Sequence, residues 1–237
     1  MKPILNPIEY AQKAVHEYTS LYGSDLVSII LYGSAAGADF DPQQSDINLL
    51  IVLRTMDIEL ISKSADIQLK LFQKRFSKPL FMDKEYIASS CDSYPMEFME
   101  MKEHHVVLAG EDIFNSVSPQ ISDLRLQVER ELKGKWLHLI DEYTYACKSQ
   151  KSLVQLTEVS LKAFVPVFRA LLKLKGVLIP TARKELLPAL ESAYSIDGTP
   201  LQAIDNLRKS GNFTELKAKF TDYSRAIKRL IDSIENI

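Results

Sequence analysis

Two short polar runs, Gly33-Ser34 and Ser45-Asp46-Ile47-Asn48, combine residue types suited to holding phosphate. A Gly-Ser pair at the end of a strand lets the backbone approach a phosphate closely. It offers amide N–H groups and a hydroxyl as neutral donors. Asp46 and Asn48 stand two apart, so on a strand both project from one face. Two oxygen donors so placed suit Mg²⁺, which takes hard oxygen ligands and shares its shell with substrate phosphates and water. The plainer alternatives are a tight turn with a cap at Gly33-Ser34 and a turn-side polar residue at Asn48.

The chemistry depends on the elements around these runs. Leu26 to Tyr32 is apolar and β-branched, ends at Gly33 and reads as a buried strand. Asp46 to Leu53 reads as a second one, so both polar runs fall at strand ends. Before them, Ile8, Ala11, Val15, Tyr18 and Tyr22 recur at helical spacing and Gly23 suits a cap, predicting a helix over 7–22. After them, 57–76 reads as helical, Pro79–Met82 as extended, and Asp83 as the cap of a short helix. Met96–Met101 is expected to be a third strand, with Val106-Val107-Leu108 a fourth. Asp39 and Asp41 are assigned to the intervening loop, with a place near the metal as the alternative for either.

Beyond Pro119 the pattern becomes helical. Leu124, Val128, Leu132, Trp136, Leu139, Tyr143 and Ala146 keep helical spacing, as do Leu161, Phe164, Phe168 and Leu171 around Pro166, which is expected to kink its helix. Leu216, Phe220, Tyr223, Ile227, Leu230, Ile234 and Ile237 form a seam that fits inside an antiparallel bundle or, alternatively, across a homodimer interface. Trp136, Phe164 and Phe168 are read as bundle core.

Composition narrows the class. Of 237 residues, 46% are hydrophobic and 25% charged, typical of a globular protein. The formal net charge of −2 hides a split: residues 1–116 carry 10 Lys/Arg against 17 Asp/Glu, and residues 117–237 carry 19 against 14. No apolar run is long enough to span a bilayer. Cys91 and Cys147 are isolated, which argues against a disulfide framework or thiolate zinc site. With no leader pattern after Met1, the expected setting is cytoplasmic.

The run Leu31-Tyr32-Gly33-Ser34 followed by Ser45-Asp46-Ile47-Asn48-Leu49-Leu50 resembles the nucleotidyltransferase superfamily related to DNA polymerase β. It is most similar to the small bacterial branch with a helical C-terminal domain, as in aminoglycoside nucleotidyltransferases. The resemblance implies that Gly33 and Ser34 hold nucleotide phosphates and that Asp46 binds metal. It also implies a third carboxylate on a later strand. Position 48 departs from the family's Asp-x-Asp; its amide can coordinate only through a neutral carbonyl oxygen. The third carboxylate is expected from Met96–Met101, where Glu97 and Glu100 would point to opposite faces of a strand. Glu97 is preferred, as metal ligand or general base.

The chain thus reads as α+β: a small mixed-sheet, nucleotidyltransferase-like domain at 1–116, then an all-α bundle at 117–237. The implied activity is Mg²⁺-dependent transfer of a nucleoside monophosphate from a nucleoside triphosphate to a hydroxyl of a small molecule or protein. The alternative is a nucleotide-binding sensor or assembly partner impaired by Asn48. Lys162, Arg169 and Lys173 share one helix face, and Arg183-Lys184 opens a later helix. These cations are candidates to neutralise phosphate, against a solvated helix side. His104-His105 reads as a surface turn. A nucleic-acid acceptor is not favoured, because the basic excess is modest and no aromatic-basic pattern accompanies it.

Overall fold

Asn6 starts the first helix: its side chain accepts a hydrogen bond from Glu9 N at 3.2 Å, and Pro7 occupies the first turn. This helix, α1 (Pro7–Tyr22), buries Ala11, Ala14, Tyr18 and Tyr22. In the computed structural model, which describes residues 3–37, 40–180, 183–196 and 212–234, the chain divides into two compact units, Met1–Gln120 and Ile121–Ile237.

The first unit is built on a four-stranded sheet of order β3-β2-β1-β4. Its strands are β1 (Leu26–Tyr32), β2 (Asn48–Leu53), β3 (Leu80–Asp83) and β4 (His105–Gly110). β1 pairs antiparallel with β2 and β4, while β2 and β3 run parallel, so the sheet is mixed. The central strands present apolar side chains to both faces. Ile29, Leu31, Leu49, Ile51 and Leu53 pack with α1 and with Ile67 and Leu71 of α3 (Ala65–Phe72). Ile30, Leu50 and Val52 face the other way. There they meet Ile87 of α4 (Lys84–Ser89), Phe98 and Met101 of α5 (Pro95–Glu103), and Ile113, Phe114 and Val117.

Three local expectations are corrected. The expected strand at 96–101 is helix α5: Pro95 sits at its first position, and Phe98 and Met101, three apart, are its buried stripe. The helix expected over 57–76 is two, α2 (Ile58–Ser62), capped by Asp57, and α3. His105 is a strand residue: its ring lies 4.8 Å from that of Phe114, and Nε2 is 3.2 Å from Asp112 Oδ1.

The second unit contains α6 (Ile121–Ala146), α7 (Gln150–Leu174), α8 (Arg183–Tyr194) and α9 (Phe213–Ile234). α7 continues as one helix through Pro166. α9 turns Leu216, Phe220, Tyr223, Ile227, Leu230 and Ile234 inward and packs on α6 and α7. Ile237 lies outside the described residues. The stripe belongs to the interior of this unit. Phe164 stacks on Phe168 at 5.7 Å and meets Tyr223 edge-on, and Tyr223 donates to Ser160 Oγ at 3.2 Å. Trp136 is only half-buried. No helix among the described residues is long and apolar enough to cross a membrane.

Burial pushes the phenols of Tyr18, Tyr194 and Tyr223 up. Tyr32 rises to about 12, first through burial and then through the charge of Glu100. Each raised phenol holds its proton more tightly folded than unfolded. Above the ordinary value of 10.0 the unfolded chain ionises first, so folding loses stability as pH climbs toward about 12 and keeps it all below 10.0. Melting temperatures measured against pH should fall in that window while phenolate absorbance, followed in parallel, rises.

Candidate functional site

One end of the sheet collects the polar runs. β1 finishes at Tyr32, β2 begins at Asn48 and β4 begins at His105, and the register sets Tyr32 opposite both Asn48 and His105. Gly33 leaves β1 at φ +71° and opens a 3₁₀ turn over Gly33–Ala36. A Cβ at position 33 would stand 3.1 Å from Asn48 Nδ2, so both the backbone angle and the neighbour call for glycine. Ser34 follows half-buried in the turn.

Asp46 precedes the strand. Its carboxylate is exposed and has no hydrogen bond or ion pair among the described residues. The segment leading to it is strongly held. Asp41 accepts from Gln43 N at 2.7 Å and Gln44 N at 3.2 Å, which makes Asp41 a loop residue; Asp39 lies outside the described residues. Arg75, only 9% exposed, donates through Nη1 to Pro42 O at 2.8 Å and through Nη2 to Ser45 O. Its carbonyl accepts from Ile47 N at 2.9 Å. Arg75 thus fixes the residues on both sides of Asp46.

A lysine at 75 has one ammonium and no fork to span the two carbonyls. Arg75→Lys should cost about 0.5–1.5 kcal/mol by giving up one of the two hydrogen bonds to Pro42 O and Ser45 O. The urea midpoint should drop, and any activity that depends on Asp46 should drop with it.

Asn48 shares the face of Leu50 and Val52 by strand alternation, the face covered by α4 and α5. Its Oδ1 accepts from Ser77 Oγ at 2.6 Å. Ser77 is delivered by the parallel pairing that continues from β3: Ile47 bridges Phe76, and Ser77 N donates to Ile47 O at 3.0 Å.

Glu97 and Glu100 lie exposed on α5, three residues apart on one helix rather than on opposite faces of a strand. Glu100 is the one whose charge reaches Tyr32, the strand partner of Asn48. His104, at the end of α5, lies beside the Gly33–Ala36 turn: a Cβ on Gly37 would be 3.7 Å from its Cγ. Asp83 is at the opposite end of the sheet, paired with Leu53 and capping α4 through Tyr86 N at 2.7 Å.

Among the described residues no three His, Cys, Asp or Glu side chains gather in a way that could hold a metal ion. The donor set at this end fits one cation carried on a phosphate chain, with Asp46 as its protein carboxylate. Position 48 brings no charge to a second cation, and its oxygen is turned toward Ser77.

In the second unit, Lys162, Arg169 and Lys173 occupy α7, with Lys162 exposed and the other two half-buried. α8 opens at Arg183. Sequence reasoning missed Arg75, Ser77 and His104. Of these only His104 carried a visible signal, in the His-His pair.

The structure is similar to the crystal structure of spectinomycin adenyltransferase AAD(9) from Enterococcus faecialis with ATP and spectinomycin. The TM-score is 0.56 at 13% identity, covering 95% of this chain and 99% of that one. The chain therefore has the fold of an aminoglycoside nucleotidyltransferase, a small mixed sheet followed by a helical region. No family model and no curated protein matches the sequence.

Proposed function

We propose that this chain is a nucleotidyltransferase that moves a nucleoside monophosphate from a nucleoside triphosphate to an acceptor hydroxyl. The observation that carries this reading is the convergence of the Gly33-Ser34 turn, the exposed Asp46 carboxylate and Asn48 at one sheet end. The fold shared with an ATP-bound adenyltransferase supports it. Gly33 and Ser34 seat the phosphates. Asp46 would hold a Mg²⁺ carried by the triphosphate, and that ion supplies charge neutralisation at the phosphates.

The acceptor oxygen attacks the α-phosphorus in line, the bond to the β-phosphate oxygen breaks, and pyrophosphate leaves. A carboxylate of α5 receives the hydroxyl proton, with Glu97 and Glu100 as candidates; Glu100 has the added support of its proximity to Tyr32. The enzyme's share of the work is positioning and electrostatics. A hydroxylated small molecule is the favoured acceptor, as the neighbour's spectinomycin suggests. A protein side-chain hydroxyl is the other class.

The decisive measurement is release of pyrophosphate and labelling of an acceptor from a panel of hydroxylated small molecules and proteins. A second reading, a protein that binds nucleotide without transferring it, is favoured by the engagement of Asn48 Oδ1 by Ser77. It expects tight triphosphate binding with no pyrophosphate released by any acceptor.

A further inference from the structure

Asn48 stands where the resembling family places its second metal-binding acid, and its oxygen is turned toward Ser77. Ser77 Oγ lies 2.6 Å from Asn48 Oδ1 and 3.3 Å from Ile47 O. A serine hydroxyl has a single proton, and the shorter contact takes it. Accepting that bond decides which end of the planar amide faces which way. Oδ1 turns to Ser77, and Nδ2 turns to Gly33, 3.1 Å from where a Cβ of residue 33 would stand. The group presented to the Gly33–Ala36 turn is therefore an N–H donor. Ser77 uses one of the two lone pairs of Oδ1 and is itself held by its backbone bond to Ile47, so Oδ1 stays turned toward Ser77 and the N–H end toward the turn.

We infer that position 48 in this chain is a phosphate-donor position rather than a metal-ligand position. The amide of Asn48, aimed by Ser77, donates N–H to the anionic triphosphate seated on Gly33-Ser34. Ser77 is a positioning residue: it touches the amide, not the ligand. This inference rests on the reading of the same turn as a triphosphate site. Its chemical consequence is specific. With aspartate at 48 a negative oxygen would face the phosphates, and binding would need a cation between them. With asparagine, part of the affinity survives without any divalent ion.

Calorimetric titration of the full-length chain with α,β-methylene-ATP and with inorganic tripolyphosphate, each in EDTA and in Mg²⁺, tests this. The wild type should bind both probes in EDTA. Asn48→Asp, which preserves side-chain shape, should lose about tenfold or more in EDTA, the worth of a hydrogen bond to a charged group. It should recover when Mg²⁺ is added. Ser77→Ala should weaken binding in EDTA, and Ser77→Thr, which keeps the hydroxyl, should restore it. Probe binding in Mg²⁺ with none in EDTA, or Asn48→Asp binding in EDTA as tightly as wild type, overturns the inference and leaves the triphosphate site standing. No binding of either probe in either buffer overturns the triphosphate site itself, and the inference with it.

Discussion

Asp46→Ala should reduce nucleotidyl transfer by at least about 10²–10³-fold, the scale set by removing a single charge-stabilising group from a reacting centre. The folded state should scarcely notice. The Asp46 side chain is exposed and has no partner among the described residues, so its removal belongs with surface substitutions, within about 0.5 kcal/mol. That separation makes the variant informative: activity and melting temperature should part company. Asp46→Asn, which keeps the shape and removes the charge, should behave like alanine if charge is what matters. Labelled-nucleotide transfer that continues unchanged in Asp46→Ala would place the chemistry elsewhere in the chain.

The parts of this site that sequence could reveal are those whose role is local. Leu26–Tyr32 and Leu49–Leu53 announce buried strands by β-branched density, and Gly33 announces a turn because it ends the first of them. Residues 96–101 misled because Met96, Phe98, Met99 and Met101 satisfy both short-strand and helical spacing; Pro95 was the signal that separates the two. Glu97 and Glu100 thereby changed from opposite faces of a strand to one stretch of helix. Ser77 and Arg75 were illegible for a different reason. They act 29 and 30 positions away, on Asn48 and Ser45, through a parallel pairing whose register no local pattern encodes. Asn48 therefore looked like a weakened metal ligand, whereas its orientation is set by a serine with no motif around it.

Gly110→Ala should be the most damaging single-methyl change in the sheet. Gly110 pairs with Ser28 at the end of β4, beside an irregularity in the β1–β4 register, and adopts φ +81°. A Cβ there would lie 2.1 Å from Val27 O and 2.9 Å from Ser28 Cα. Both are backbone atoms of the central strand, so no flexible side chain can yield. Either β4 detaches from β1 or the bulge rearranges, and the left-handed backbone adds strain of its own. The combined cost should reach about 3 kcal/mol or more, in the range reserved for overpacked and strained sites. In thermal melting of the full-length chain that appears as a fall of about 6–12 °C or more. Gly134→Ala supplies the opposite sign. It lies inside α6 with nothing within 4 Å of the added carbon, and should gain about 0.5–1 kcal/mol in helix propensity. Because β1 ends at Tyr32 and leads directly into Gly33, a Gly110→Ala protein that still folds should also bind triphosphate more weakly. If it melts and binds as the wild type does, the close approach of β4 to β1 at Gly110 is not a feature of the molecule in solution.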